Sequence, residues 1–444
     1  MITPLGGTRV PERVPAGPME VALVYLSTID HPHTGDDGTK PSRKRALFSV
    51  SGNVFALGAV SLITDVSSEM VTAVLPVYLV LGLHLSPAVY GMVDGTYTGA
   101  TALLRLAGGY LADVTRHRKL IAGLGYGLSA LAKLGLPAAG NAVGAIGAVI
   151  AVDRTGKGLR TAPRDALITL STPPHLYGRA FGIHRMMDTA GAFAGPLVAL
   201  GVLAATAQAY DTVFVASFCI AAFGVLVLVL FVRDRRGDQP PKGTVSFSAL
   251  GDLIRLAPVR RLVLAAGLAG MVTIGDGFVY LLLQQHEHLG VGWFPLLAVG
   301  TNLSYLLLAT PLGMLADKIG RLKVVLGGYT ALVLVYLLLF GPLGGWPLLV
   351  VALGLYGLFY AATDGVLMAL AGPVLPKALR TTGIALIQSG QALCYLLSSV
   401  LFGLAWTAWG PASASRIAAV LVAVAVLAVG LLLRGIPATE EQHA

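Results

Sequence analysis

The amino-acid sequence predicts an all-α membrane protein, with twelve transmembrane helices in two pseudo-symmetric six-helix bundles. Three observations carry that reading. The 444 residues are 55% hydrophobic and only 12% charged, whereas a soluble domain carries about a quarter charged residues. The apolar residues come in repeated runs of about twenty, the length that crosses a bilayer. These runs are continuous rather than alternating, which favours helices over a barrel as the way to satisfy backbone groups in lipid.

In chain order, residues 1–45 are polar, rich in Gly and Pro, and contain Lys40, Arg43, Lys44 and Arg45. They lack the short apolar core of a signal peptide and read as a flexible cytoplasmic leader. A first bundle over 46–232 holds spans at 52–80, 88–112, 119–138, 142–170, 179–204 and 211–232. Residues 233–258 carry Arg233, Arg235, Arg236, Lys242 and a Pro-Pro pair, and read as a cytoplasmic linker. A second bundle over 259–434 holds spans at 259–285, 292–316, 322–341, 346–371, 381–408 and 413–434, and 435–444 form a cytoplasmic tail. Basic residues set orientation. Arg116, Arg118 and Lys119 follow the second span, Arg179 precedes the fifth, Lys318, Arg321 and Lys323 follow the eighth, and Lys377 and Arg380 follow the tenth. Both termini are therefore expected in the cytoplasm and the chain in an inner, cytoplasmic membrane.

The net charge of +9 is accounted for by these loops and does not point to nucleic acid. Cys219 and Cys394 both lie in apolar runs, so neither a disulfide framework nor a zinc site is indicated. No phosphate-binding Gly-x-x-x-x-Gly-Lys-Ser/Thr loop occurs, which argues against a built-in ATPase. Neither enzyme chemistry nor a cofactor is expected. His286, His288 and the Met186-Met187 pair beside His184 lack the spacing of a metal cage, so no metal site is expected either.

The two halves repeat. "GGYLADVTRHRKL" at 108–120 follows the second span, and "LGMLADKIGRLKV" at 312–324 follows the eighth. Both read Gly-x-Leu-Ala-Asp followed by a basic cluster. "GRAFGI" at 178–183 and "LRTTGI" at 379–384 also stand in matching places. Internal repeats of this kind mark many transporters, with the substrate site between the halves.

Over about 50–434 these motifs resemble the major facilitator superfamily. Gly313, Leu315, Ala316, Asp317, Gly320, Arg321 and Lys323 match the family's loop motif well. The first copy keeps Gly109, Leu111, Ala112, Asp113 and Lys119, but departs at Arg116 and His117, with Arg118 one place late. The resemblance implies a gating latch built from Asp113, Arg118, Asp317 and Arg321. "AVDRTGKGLRTAPRDALI" in the fourth span is similar to the family's Arg-x-x-x-Gly motif at Arg154 and Gly158, but is far more basic. Gly191, Gly195 and Pro196 in the fifth span resemble a helix-packing signature associated with antiporters of the drug-exporting branch, although Ala199-Leu200 replaces the usual glycine pair.

Helical spacing places Asp153, Lys157, Arg160 and Arg164 on one stripe, with Pro163 a candidate kink. Unpaired charges in a membrane are costly, so these groups must pair or face water. Asp65 and Glu69 on the first span, Asp94 on the second, and His184, Arg185 and Asp188 on the fifth are the available partners. One reading is proton coupling by Asp65, Glu69 and Asp188 under the control of Arg154; the other is a fixed ion-pair network. In the second half, Asp276, Tyr280 and Gln284 on the seventh span and Tyr356, Tyr360 and Asp364 on the tenth recur at i, i+4, i+8. Gln388, Gln391, Tyr395 and Ser398 line one side of the eleventh span. Rings with a few polar groups suit an amphipathic organic ligand. The substrate-binding candidates are Lys157, Arg160, Arg164, Asp276, Tyr360, Asp364 and Gln388, with Asp276 expected across the bundle from the other two acid and tyrosine positions.

The expected function is proton-coupled efflux of a small amphipathic organic compound by a monomer in the lipid bilayer. The alternatives are import of an anionic nutrient on the basic stripe, and a receptor or assembly factor that keeps the transporter fold without transporting.

Overall fold

The computed structural model describes residues 50–115, 117–173, 176–234, 253–364, 370–371, 374–375 and 380–434, without the side chains at 102–103, 105–115 and 380–382. The leader at 1–45, the tail at 435–444 and most of the linker lie outside the described residues. Among the described residues, all regular structure is helical. Nine stretches of the described residues are long and apolar enough to cross a membrane.

The first half contains α1 (Gly52–Val77, continued by a π-helical turn at Tyr78–Gly82), α2 (Pro87–Thr115), α3 (Arg118–Ala139), α4 (Val143–Leu170), α5 (Tyr177–Ala205) and α6 (Tyr210–Phe231). The second half contains α7 (Ala257–Val272), α8 (Asp276–His286), α9 (Phe294–Ile319), α10 (Arg321–Leu338), α11 (Gly345–Thr363) and α12 (Arg380–Leu433). The charges of α4 keep it out of the nine apolar stretches although it is 28 residues long. Pro163 sits inside α4 without interrupting it.

One element differs from the expected spans. The seventh span, read as one helix, is broken at Thr273–Gly275 into α7 and α8. The freed amide of Ile274 donates to Tyr336 Oη at 3.2 Å, so the break is hydrogen-bonded within the protein. The 54-residue α12 contains the non-helical Gly410, at φ 80°, followed by Pro411, at the junction expected between 408 and 413.

In the first half, α1 packs on α5 and α6, α4 on α2 and α3, and α3 on α6. In the second half, α12 packs on α7 and α10, and α11 on α9 and α10. Between the halves, α2 meets α12, α5 meets α9, and α1 meets α8 and α9. Small residues make the α2–α12 contact close. A Cβ on Gly91 would lie 2.3 Å from the Ser399 carbonyl oxygen, and one on Gly403 would lie 2.5 Å from that of Pro87. Ala88 N donates to Thr407 Oγ1 at 3.1 Å in the same seam. Away from it, Asp317 is 54% and Arg185 66% exposed, and Asp364 and Gln388 are exposed.

Candidate functional site

The charges on α4 are set by how its neighbours approach. A Cβ on Gly156 would lie 2.5 Å from the Gly125 carbonyl oxygen, so α3 and α4 touch backbone to backbone. That contact brings Ser129 and Lys133 beside Asp153. Ser129 Oγ donates to Asp153, and Lys133 Nζ lies 3.7 Å from its Oδ1. Arg154 Nε donates to Asp153 Oδ2 at 2.9 Å, and Nη2 donates to the same oxygen. The Arg154 guanidinium also covers the Tyr97 ring, 3.4 Å from its centroid. Arg154 was expected to reach an acid on the first or fifth span. It pairs instead with its own neighbour, because the α3–α4 contact fixes Asp153 within reach of the guanidinium fork.

The links to α1 and α5 are made one and two turns further along. Arg160 Nη2 lies 3.5 Å from Asp65 Oδ1. Arg164 pairs with Asp165 at 2.9 Å and with Asp188 at 3.8 Å, and donates to Ser61 Oγ at 3.2 Å. Arg185 approaches Asp188 at 3.5 Å. Arg160 and Arg164, one turn apart on α4, thus hold Asp65 of α1 and Asp188 of α5 to one face of α4. Glu69 and Lys157 are half-buried, and their side chains make neither a hydrogen bond nor an ion pair among the described residues.

The helix-packing residues of α5 sit against α1 at this place. A Cβ on Gly191 would lie 2.4 Å from the Leu62 carbonyl oxygen, and one on Gly195 would lie 2.6 Å from Glu69 Cβ. With Pro196 buried beside them, they let α5 approach the face of α1 that carries Asp65 and Glu69.

In the second half, the helix break places Asp276 at the first turn of α8. Tyr356 Oη donates to Asp276 Oδ1 at 2.8 Å, and Tyr360 Oη donates to the same oxygen. Asp276 is thus bonded to Tyr360 rather than facing it across the bundle, since the break turns its side chain toward α11. Gln284 donates to the Leu289 carbonyl at 2.9 Å and closes a loop. Tyr305 Oη donates to Asp364 Oδ2 at 3.2 Å. A cavity of about 420 Å³ opens beside these groups, lined by Thr98, Tyr329, Phe359, Tyr360, Asp364, Gln388, Gln391 and Tyr395. Tyr360, Asp364 and Gln388 therefore share one cavity.

Asp94 faces the second half. It accepts from Tyr395 Oη at 3.1 Å, from Ser399 Oγ, and from Tyr90 Oη at 3.4 Å. Of the gating residues, Arg321 Nη2 lies 3.7 Å from Asp317 Oδ1 on the neighbouring helix end, and Arg118 opens α3. The side chain of Asp113 lies outside those described. Sequence reasoning passed over Lys133, Tyr97 and Ser399. A lone lysine in an apolar span was a usable signal for the first; nothing in the sequence marked the other two.

A family model described as Major Facilitator Superfamily matches residues 57–301 and 287–444. An uncharacterized MFS-type transporter of Methanocaldococcus jannaschii is 30% identical over 367 residues, covering 80% of this chain and 89% of that protein. An uncharacterized protein of Mycobacterium tuberculosis is 33% identical over 157 residues, which is 35% of this chain and 38% of that protein. Among solved structures, the nucleoside transporter NupG aligns with a TM-score of 0.70 at 16% identity, over 86% of this chain and 99% of that one. The peptide transporter POT in complex with sulfate aligns at 0.70 and 15% identity, over 89% and 98%. At these identities the likeness concerns the fold alone. With the family model spanning most of the chain, the all-helical apolar architecture is that of a multi-pass membrane transporter, and the chain belongs to the Major Facilitator Superfamily.

Proposed function

We propose that the chain is a proton-coupled exporter of a small amphipathic organic compound, working by alternating access. In this reading twelve spans form two bundles, 46–232 and 259–434, in the inner membrane, with both termini cytoplasmic. Gly410 divides α12 into the last two spans, and α7 with α8 makes one broken span.

The observation that carries the coupling is the pairing between helices. Asp65 of α1 is met by Arg160, and Asp188 of α5 by Arg164, one turn further along α4. A carboxylate beside a cation keeps its charged form, and one that loses the cation takes up a proton more readily. Movement of α4 relative to α1 and α5 changes how much cationic charge reaches them. Proton loading and helix position are then linked. Arg154 acts from a distance in this scheme, by holding Asp153 and the Tyr97 face in place.

The same pairing weighs against import of an anion. Arg154, Arg160 and Arg164 are each engaged by an acid of the protein. Among the described residues, the cavity beside Tyr360 carries one acid and no lysine or arginine in its lining. Export is supported by the seating of Gly191 and Gly195 against the acid-bearing face of α1.

The test uses proteoliposomes in both orientations and a mixed panel of metabolites and drugs, with and without a pH gradient. The expected result is gradient-driven movement of an organic compound in the direction opposite to protons. Movement in the same direction as protons would establish import. A protein that binds members of the panel but moves none of them would be a receptor.

A further inference from the structure

Among the described residues, every charge that α1, α4 and α5 present to one another has a partner except two. Asp65, Asp153, Asp165 and Asp188 are each met by an arginine. Glu69 and Lys157 are met by none of the described side chains. Their signs are opposite, and they stand on facing helices, Glu69 on α1 and Lys157 on α4. Arg164 donates to Ser61 and Arg160 meets Asp65, so each turn forward on α1 is a turn back on α4, and the next turn in that register sets Glu69 opposite Lys157. The helix that carries Glu69 also meets α8 and α9 of the second half, so this pair of charges borders the region between the halves.

A half-buried charge without a partner is costly unless water or a ligand completes it. A purely anionic ligand would complete Lys157 and leave Glu69 bare. A purely cationic ligand would do the reverse. A neutral ligand would desolvate both. We propose that Glu69 and Lys157 are the two poles of the ligand site, and that the ligand is a zwitterion whose ammonium group meets Glu69 and whose carboxylate meets Lys157. This rests on the reading above only in taking the region between the halves as the ligand site. It also supplies a reason for exchange, because an ammonium group and a proton compete for the same carboxylate.

Three probes that share a ring and chain but differ in charge test it: phenylalanine, 2-phenylethylamine and 3-phenylpropanoate. A second trio with the same charges is built on glycyl-phenylalanine. Binding to the purified chain is measured by calorimetry and by thermal stabilisation. In at least one trio the zwitterion should bind about tenfold or more tighter than both relatives, the scale of one charge-assisted contact. Glu69→Gln should abolish its advantage over the acid, and Lys157→Met its advantage over the amine. Glu69→Asp keeps the charge and should keep the preference, which separates a charge effect from misfolding. Equal binding within a trio, preference for a singly charged member, or no binding in either trio would overturn the proposal. A zwitterion that binds in this crossed pattern but is not moved by a pH gradient would refute proton-coupled export and leave the site standing. Gradient-driven export of other compounds, with no zwitterion preference, would do the opposite.

Discussion

Lys157 and Arg154 are three residues apart on one helix, yet they hold opposite positions in the charge network. Arg154 is 2% exposed, bonds Asp153 through two nitrogens and lies on Tyr97. Lys157 has no partner among the described residues. Removing one member of a buried ion pair leaves a bare charge, at a cost of about 3–5 kcal/mol. Arg154→Ala should therefore lower the unfolding temperature in detergent clearly, with Asp153 left to Lys133 and Ser129. Lys157→Ala should change it little. Equal losses would mean that the two cations are held alike. Arg154→Ala should also lose gradient-driven transport while exchange without a gradient partly survives, and Arg154→Lys should be impaired because it lacks the planar fork. The stripe itself was legible in the sequence, since i, i+3, i+4 spacing fixes which residues share a helix face. Their partners were not. They depend on Gly125 meeting Gly156 and Gly195 meeting α1, and no periodicity within one helix encodes the face of another.

Helices pack here through absent side chains, and this gives α5 a graded test. A Cβ on Gly191 would meet the Leu62 backbone at 2.4 Å, whereas one on Gly182 would meet nothing within 4 Å. Backbone cannot swing aside as a side chain can. Gly191→Ala should destabilise by about 1–3 kcal/mol through overpacking. Gly182→Ala should be neutral or stabilising by up to about 1 kcal/mol from helix propensity. Thermal unfolding of the two variants decides it, and similar behaviour would remove the packing role of Gly191. The α7–α8 break invites a second test. Tyr336→Phe deletes the acceptor of the Ile274 amide, which leaves a buried donor unsatisfied at about 1–3 kcal/mol. Hydrogen exchange at Ile274 should rise in that variant; unchanged protection would show that another group holds the break. Span positions came through in the sequence because length and apolarity set them. The break did not, because its only marks were Gly275 and Gly277 around one acid. A glycine pair in an apolar run also reads as ordinary close packing.

For the whole molecule the question is which end opens. The seam between α2 and α12 is closed, and Asp317, Asp364 and Gln388 are exposed away from it. Alternating access requires this seam to part while the Asp317 end closes. Gly95 tests that. A Cβ there would lie 2.7 Å from the Leu396 carbonyl oxygen and 3.1 Å from its Cα. Gly95→Leu cannot be placed without separating α2 from α12, so the described state should lose about 1–3 kcal/mol to the alternative, a shift of about 5- to 150-fold in the ratio of the two. The reporter is a cysteine at Gln388, with Cys219 and Cys394 replaced by serine, labelled by a membrane-impermeant thiol reagent from the Asp317 side. Gly95→Leu should slow that labelling as the Asp317 end closes. Asp317→Asn should act in the other direction. Its pair with Arg321 is exposed in the described state, where such a pair contributes about 0–1 kcal/mol, so what it removes is the latch that holds the opposite state. Labelling at Gln388→Cys should then speed up, and the double variant should fall between the two. If Gly95→Leu leaves the labelling rate unchanged while the protein remains folded, the α2–α12 seam is a fixed contact, and the halves move about some other interface.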